Sequence, residues 1–133
     1  MLIVPFYIGE VMRQQLERIE EEERANAAVR ELRDKEVDVL LVTSGDDPVG
    51  VFSTKEALDL ISLEKDPSKT TLVEIELSPV ASIDETEEVD QAAKIMRRDG
   101  LRYLLVTKAN EIIGYLTERD VTKALADGDD NSD

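Results

Sequence analysis

The stretch LLVTKANEIIGYLTERD, residues 104–120, contains a pattern of apolar and polar residues from which local structure can be predicted. The apolar, β-branched run at 101–107 is typical of a buried strand, and Ile112–Leu116 is typical of a second one. The polar residues 108–111 between them predict a turn. From Thr117 onward the spacing of apolar residues is helical. The stretch therefore predicts two adjacent strands followed by a helix.

The same pattern occurs 64 residues earlier, in LLVTSGDDPVGVFSTKE, residues 40–56. A shift of 64 positions aligns residues 7–61 with 71–125 without a gap and gives 11 identities in 55 positions. Chance at average composition gives roughly 3 or 4. Three of the identities are Glu, but the unbroken match of Leu-Leu-Val-Thr favours a true duplication over biased composition.

A helix is predicted before the two strands in each copy. In the second copy, the apolar spacing across residues 89–96 predicts a helix that Asp84 caps and Gly100 ends. In the first copy the equivalent apolar residues lie between 25 and 32, and the acidic run Glu20–Glu23 is interpreted as the first helical turn. With a short strand before each helix, we predict an α+β fold of two β-α-β-β-α repeats.

The duplication sets the predicted domain organisation. Residues 1–62 form the first repeat with its N-terminal segment, 63–70 a polar linker, 71–126 the second repeat, and 127–133 an acidic, disordered tail. The apolar run at 1–8 is too short to span a membrane and lacks the basic region of a signal peptide. We therefore expect a cytoplasmic protein.

The composition excludes several classes of function. The 133 residues carry a formal net charge of −15, from 31 acidic and 16 basic residues. Such a surface repels phosphate polymers, so we expect no binding to DNA, RNA or anionic membranes. The chain has no Cys and no His, which removes disulfides, thiolate metal sites and the commonest general base. Phosphate-cradling glycine motifs are also missing. We expect no metal, no cofactor and no enzymatic activity.

Each repeat carries a short motif where its last strand meets its last helix. In the second copy this motif is Gly-Tyr-Leu-Thr-Glu-Arg-Asp, residues 114–120. Together with the preceding strand and the duplication, it resembles the G-h-h-[ST]-x-x-D signature of tandem CBS domains, the Bateman module. The resemblance covers residues 7–126. It implies two repeats packed about a pseudo-twofold axis, with adenosine ligands such as AMP, ADP, ATP or S-adenosylmethionine in clefts between them.

The resemblance also implies roles for single residues of the second copy. Asp120 stands where the family places a carboxylate that accepts both ribose hydroxyl groups. Thr117 supplies a hydroxyl group at a helix start, where phosphate is favoured. Arg102, predicted on the buried strand, matches a phosphate-contacting arginine of one family member, and Arg119 adds a second cation. We expect this cleft to bind one adenine nucleotide as a regulatory ligand.

The adenine ring is expected between apolar groups of the first copy, near Leu16 and Val37. A second interpretation of the motif stays open, because Thr117 can be a helix N-cap with Asp120 at the third helical position. An arginine such as Arg102 can also simply extend into solvent. Capping and ligand binding are compatible, since one threonine can serve both in different states.

The first copy departs from the signature at three positions, Ser53, Glu56 and Asp38. Ser53 and Glu56 have the spacing of a capping box, which explains them without a ligand. Glu56 is one methylene longer than the signature's aspartate, and Asp38 replaces the arginine with a charge that repels phosphate. We therefore expect this second site to be degenerate, which leaves one competent nucleotide cleft per chain.

These observations lead to two hypotheses for the function. The first is a regulatory sensor that binds an adenosine-containing small molecule and signals to an effector protein in trans. The alternative is a structural dimerisation module with no physiological ligand. Both include a homodimer, because the resemblance implies paired modules and because the apolar faces of helices at 57–61 and 121–125 are expected to be buried between copies.

Overall fold

The computed structural model describes residues 6–130 and contains five α-helices and six strands in that range. The first half contains α1 (Ile8–Val11), β1 (Glu17–Glu20), α2 (Ala25–Asp34), β2 (Val39–Ser44), β3 (Asp47–Ser53) and α3 (Thr54–Ser62). A 3-10 turn at Leu72–Glu74 follows. The second half contains β4 (Ser82–Asp84), α4 (Val89–Asp99), β5 (Tyr103–Lys108), β6 (Glu111–Thr117) and α5 (Glu118–Asp130).

The strands form two three-stranded sheets of the same topology. In the first, β1 pairs in parallel with β2, which pairs antiparallel with β3; β4, β5 and β6 repeat this arrangement. The registers also match, since Leu40 lies opposite Phe52 and Leu104 lies opposite Leu116. The α+β fold class and the β-α-β-β-α order of both repeats are therefore confirmed.

The chain divides into two compact units. Each unit contains a short segment of the other repeat, which crosses over to it; these crossing segments are residues 6–15 and 71–80. Residues 16–80 form one unit, and residues 6–15 join residues 81–130 in the other. Ile8 and Leu72 stand 64 positions apart and show the exchange clearly. Ile8 is buried with Leu104 and Leu116, while Leu72 is buried with the strands of the first repeat. The sequence boundaries of the duplication thus differ from the boundaries of packing.

Two predicted helix starts are wrong. Asp84 ends β4, and its carboxylate accepts hydrogen bonds from the hydroxyl and backbone N–H groups of Thr86. These bonds stabilise a turn and lower the pKa of the Asp84 carboxyl group, while α4 begins only at Val89. Glu20 likewise ends a strand, where it accepts from Thr43. In both repeats the end of a strand and the turn after it occupy the residues that the charge pattern assigned to a helix start.

The predicted end of α4 is confirmed, because Gly100 takes the left-handed conformation with φ of 66° just after the helix. The last helix runs further than predicted. Residues 127–130, assigned to the tail from sequence, belong to α5, and Gly128 is buried. The rest of the predicted tail, 131–133, lies outside the described residues. Within residues 6–130 no helix is long and apolar enough to cross a membrane.

Candidate functional site

Gly114 of the signature motif allows another segment to cross β6 at very short range. Arg13 N–H donates to the Tyr115 carbonyl group at 2.7 Å, and Tyr115 N–H donates to the Arg13 carbonyl group at 3.0 Å. A Cβ atom at position 114 would overlap the Arg13 carbonyl oxygen. The motif therefore needs glycine here because a backbone, rather than a side chain, fills the space above it.

Gly50 has the same role in the first repeat. Val51 and Ser78 exchange backbone hydrogen bonds of 2.9 and 3.0 Å. A Cβ atom at position 50 would lie 2.6 Å from Cβ of Leu77. In each unit a crossing segment from the other repeat thus reaches the strand that leads into the last helix, and it positions side chains beside the start of that helix.

The structure brings Thr117 and Asp120 together at the start of α5. Oδ2 of Asp120 accepts from Thr117 N–H at 2.9 Å and from the Thr117 hydroxyl group at 3.1 Å. Asp120 N–H in turn lies 3.4 Å from the Thr117 hydroxyl oxygen. This is the reciprocal geometry of a capping box. Thr117 and Asp120 therefore have the geometry that the capping interpretation predicts.

Arg13 is a member of this site that the sequence analysis missed. Its Nε lies 3.0 Å from Oδ2 and 3.2 Å from Oδ1 of Asp120, and its Nη2 lies 3.1 Å from Oδ1. The side chains of Arg13 and Asp120 are 42% and 14% exposed. The two residues stand 107 positions apart, and the repeat aligns Arg13 with Leu77. Only the glycine of the motif, which demands a close crossing segment, could have pointed to its neighbourhood.

A cavity of about 320 Å³ lies beside Asp120, between the N-terminal segment and α5. Its walls combine apolar and charged groups, among them Phe6, Val11, Glu10 and Lys123. The carboxylate of Asp120 thus accepts hydrogen bonds from neighbouring residues and is also accessible from this cavity.

Arg102 lies against a different face of α5 from the one that carries Asp120. It precedes β5 rather than belonging to it, so its predicted place on the buried strand is wrong, because pairing begins only at Tyr103. Its side chain is 89% exposed, and its Nε lies 3.6 Å from Oε1 of Glu118. It lines a groove of about 440 Å³ between α4 and α5. Arg119 is exposed as well.

The residues predicted to hold adenine belong to the other unit. Leu16 and Val37 fall within residues 16–80, and both are half-buried. Val37 packs against the core of that unit.

The equivalent site of the first repeat is closed. Oε1 of Glu56 accepts from the N–H and hydroxyl groups of Ser53, both at 2.8 Å. Oε2 accepts from the Ser78 hydroxyl group at 2.6 Å, and Glu56 is fully buried. The predicted capping box of Ser53 and Glu56 is confirmed. Asp38 is exposed at the edge of β2.

Comparisons with known proteins agree with this architecture. An uncharacterized protein of Methanopyrus kandleri is 29% identical over 85 residues, which cover 62% of this chain and 43% of that protein. The chain therefore spans less than half the length of this curated relative. Among solved structures, a conserved CBS domain protein of unknown function from Thermoplasma acidophilum superposes with a TM-score of 0.80 at 15% identity, covering 96% of this chain and 78% of that one.

A second similar structure is a CBS domain protein from Pyrobaculum aerophilum, complexed with AMP. Its TM-score is 0.77 at 24% identity, and the match covers 92% of this chain and 99% of that one. The family model of the CBS domain matches twice, at residues 8–63 and 73–127. This chain therefore belongs to the CBS-domain family and carries two CBS domains in tandem.

Proposed function

We propose that this chain is a regulatory module of the cytoplasm that binds one adenosine-containing ligand at the Thr117–Asp120 site. The observation that carries the proposal is the difference in access between two equivalent carboxylates. Asp120 is 14% exposed beside a cavity, whereas Glu56 is fully buried. A ligand can reach the first without unfolding a helix start and cannot reach the second. The AMP complex of a protein with the same fold supports the choice of ligand class.

The chemistry of the site suits a ribose. A ribose presents two vicinal hydroxyl donors, and an ionised carboxylate can accept both. Thr117 supplies a hydroxyl group at the start of α5, where free N–H groups favour a phosphate. Arg102 and Arg119 are exposed cations at the same end of the helix. In this proposal they meet the phosphate groups.

The ligand acts by favouring one of two conformations that an effector protein distinguishes in trans. We also propose a homodimer. Leu58 and Ile61 on α3 are 61% and 71% exposed, and such apolar side chains on one helix face are typical of a surface that another chain covers. Light scattering at micromolar concentration should give twice the mass of the chain, and Ile61→Glu should shift it to the monomer mass. A monomer in the unmodified protein would contradict this part of the proposal.

A structural dimerisation module without a ligand is the second candidate. One observation favours it: the oxygens of Asp120 already accept hydrogen bonds from Thr117 and Arg13. A thermal-shift panel of adenosine, AMP, ADP, ATP and S-adenosylmethionine separates the two candidates. A ligand at one hundred times its dissociation constant stabilises the folded state by about 2.7 kcal/mol, which raises the melting temperature by several degrees.

The expected result is a shift for at least one compound and loss of most of that shift in Asp120→Ala. Absence of any shift across the panel would favour the structural module. Release of a hydrolysed product during incubation with ATP would instead indicate an enzyme.

A further inference from the structure

The carboxylate of Asp120 has no acceptor position left for a ligand in this structure. Four donors reach it: the N–H and hydroxyl groups of Thr117, and Nε and Nη2 of Arg13, at distances between 2.9 and 3.2 Å. A carboxylate offers about four lone-pair sites. A ribose needs two of these sites, so two existing donors must leave before it binds.

Thr117 is the harder donor to displace. It contributes through its own backbone N–H and through a hydroxyl group that also accepts from Asp120, and both belong to the start of α5. Arg13 contributes only through the end of a long side chain that is 42% exposed. The displaceable donors are therefore those of Arg13.

The backbone of Arg13 is fixed even though its side chain is accessible. Two hydrogen bonds to Tyr115 hold it, and Gly114 lets it approach β6. A guanidinium group on an anchored backbone returns to the same carboxylate whenever the ligand leaves. The two planar donors of arginine match the spacing of two carboxylate oxygens, as two vicinal hydroxyl groups do.

We propose that Arg13 is an autoinhibitory residue, whose guanidinium group occupies the acceptor positions on Asp120 that the ribose takes. This inference rests on the proposed function and deepens it. Ligand binding at Asp120 is then an exchange of donors, in which Arg13 leaves as the ribose enters. The apparent affinity of the site is lower than its intrinsic affinity because part of the chain competes with the ligand.

The expected size of this effect follows from the exposure of the pair. Exposed ion pairs contribute up to about 1 kcal/mol, which corresponds to a factor of about five in a dissociation constant. Salt screens such pairs. Raising the salt concentration should therefore weaken the competition and tighten the binding of a neutral ligand.

The test uses adenosine and the full chain, and measures the dissociation constant by calorimetry. Adenosine is uncharged, so the loss of one positive charge from the protein has little direct electrostatic effect on its binding. A change in its affinity therefore indicates competition with Arg13. Arg13→Gln removes the guanidinium group and keeps the two backbone hydrogen bonds to Tyr115. Arg13→Lys keeps the charge but lacks two parallel donors. Melting curves of both variants are recorded to check that each one is folded.

Arg98→Gln is the matched control. Arg98 forms a similar two-point ion pair with Asp99, with contacts of 2.9 and 3.0 Å, and lies on α4 away from Asp120. It also removes one positive charge from the same unit. Its effect on adenosine binding should be negligible.

The proposal predicts that adenosine binds about fivefold tighter to Arg13→Gln, with Arg13→Lys in between, and that salt strengthens binding to the original chain but not to Arg13→Gln. Binding that is detectable only in Arg13→Gln would also support it. Equal or weaker binding by Arg13→Gln, with clear binding by the original chain, would overturn the autoinhibition and leave the proposed function intact. If neither chain binds any compound of the panel, both proposals fail.

Discussion

The two helix starts at Ser53–Glu56 and Thr117–Asp120 are built alike and differ mainly by one methylene. In each, a hydroxyl residue and an acidic residue three positions later hold one another. The longer side chain of Glu56 reaches the crossing segment and ends on Ser78, fully buried. The shorter side chain of Asp120 stays 14% exposed, and the crossing segment reaches it through Arg13.

In our proposal, one of the two duplicated units has lost its binding site without losing its fold. A carboxylate that a hydroxyl group of the same chain covers completely has only a structural role. A carboxylate that an exposed cation covers can exchange this partner for a ligand. The same capping geometry thus supports a closed site in one repeat and, in our proposal, an exchangeable site in the other.

The largest expected effect concerns the glycines that admit the crossing segments. Gly114→Ala places a methyl group against the backbone carbonyl of Arg13, which is held by two hydrogen bonds. Gly50→Ala meets Cβ of Leu77 at 2.6 Å, a smaller overlap than that at Gly114 and one with a carbon atom instead of a hydrogen-bonded carbonyl oxygen. We expect a loss of about 3 kcal/mol or more in the free energy of unfolding for Gly114→Ala. Urea denaturation should show a smaller loss for Gly50→Ala; equal losses would contradict this distinction.

The next effect concerns the caps themselves. Glu56→Ala leaves the half-buried donors of Ser53 and Ser78 without their acceptor, and each such hydrogen bond to a charged group contributes about 1.5–3 kcal/mol. Asp120→Ala removes a more exposed cap, for which the expected loss is about 1 kcal/mol. Denaturation of the ligand-free variants measures both. A larger loss for Asp120→Ala than for Glu56→Ala would contradict the idea that the buried carboxylate of Glu56 contributes more to stability than the more accessible carboxylate of Asp120.

The strands and the closed site followed from sequence because they depend on neighbouring residues. The run at 104–107 and its copy at 40–43 carry the apolar and β-branched side chains that favour strands. The spacing of Ser53 and Glu56 forms a capping box within one turn of helix. Local chemistry decides both, and both predictions are confirmed.

The features that sequence reasoning missed depend on contacts between distant residues. Arg13 meets Asp120 across 107 positions, and no periodicity within either segment indicates the contact. Asp84 was assigned to a helix cap because charge and spacing fit one, but its hydrogen bonds with Thr86 stabilise a turn instead. Tertiary pairing of the strands overrode the local signal.

In our proposal, the two repeats divide binding and structure between Asp120 and Glu56. The test is a calorimetric titration with AMP of three proteins: the original chain, Asp120→Asn and Glu56→Gln. Both substitutions keep the size of the side chain and remove its charge. We expect one AMP per chain, with affinity lost in Asp120→Asn and kept in folded Glu56→Gln. Two equivalent AMP molecules per chain, or a loss of affinity in Glu56→Gln as large as that in Asp120→Asn, would contradict it.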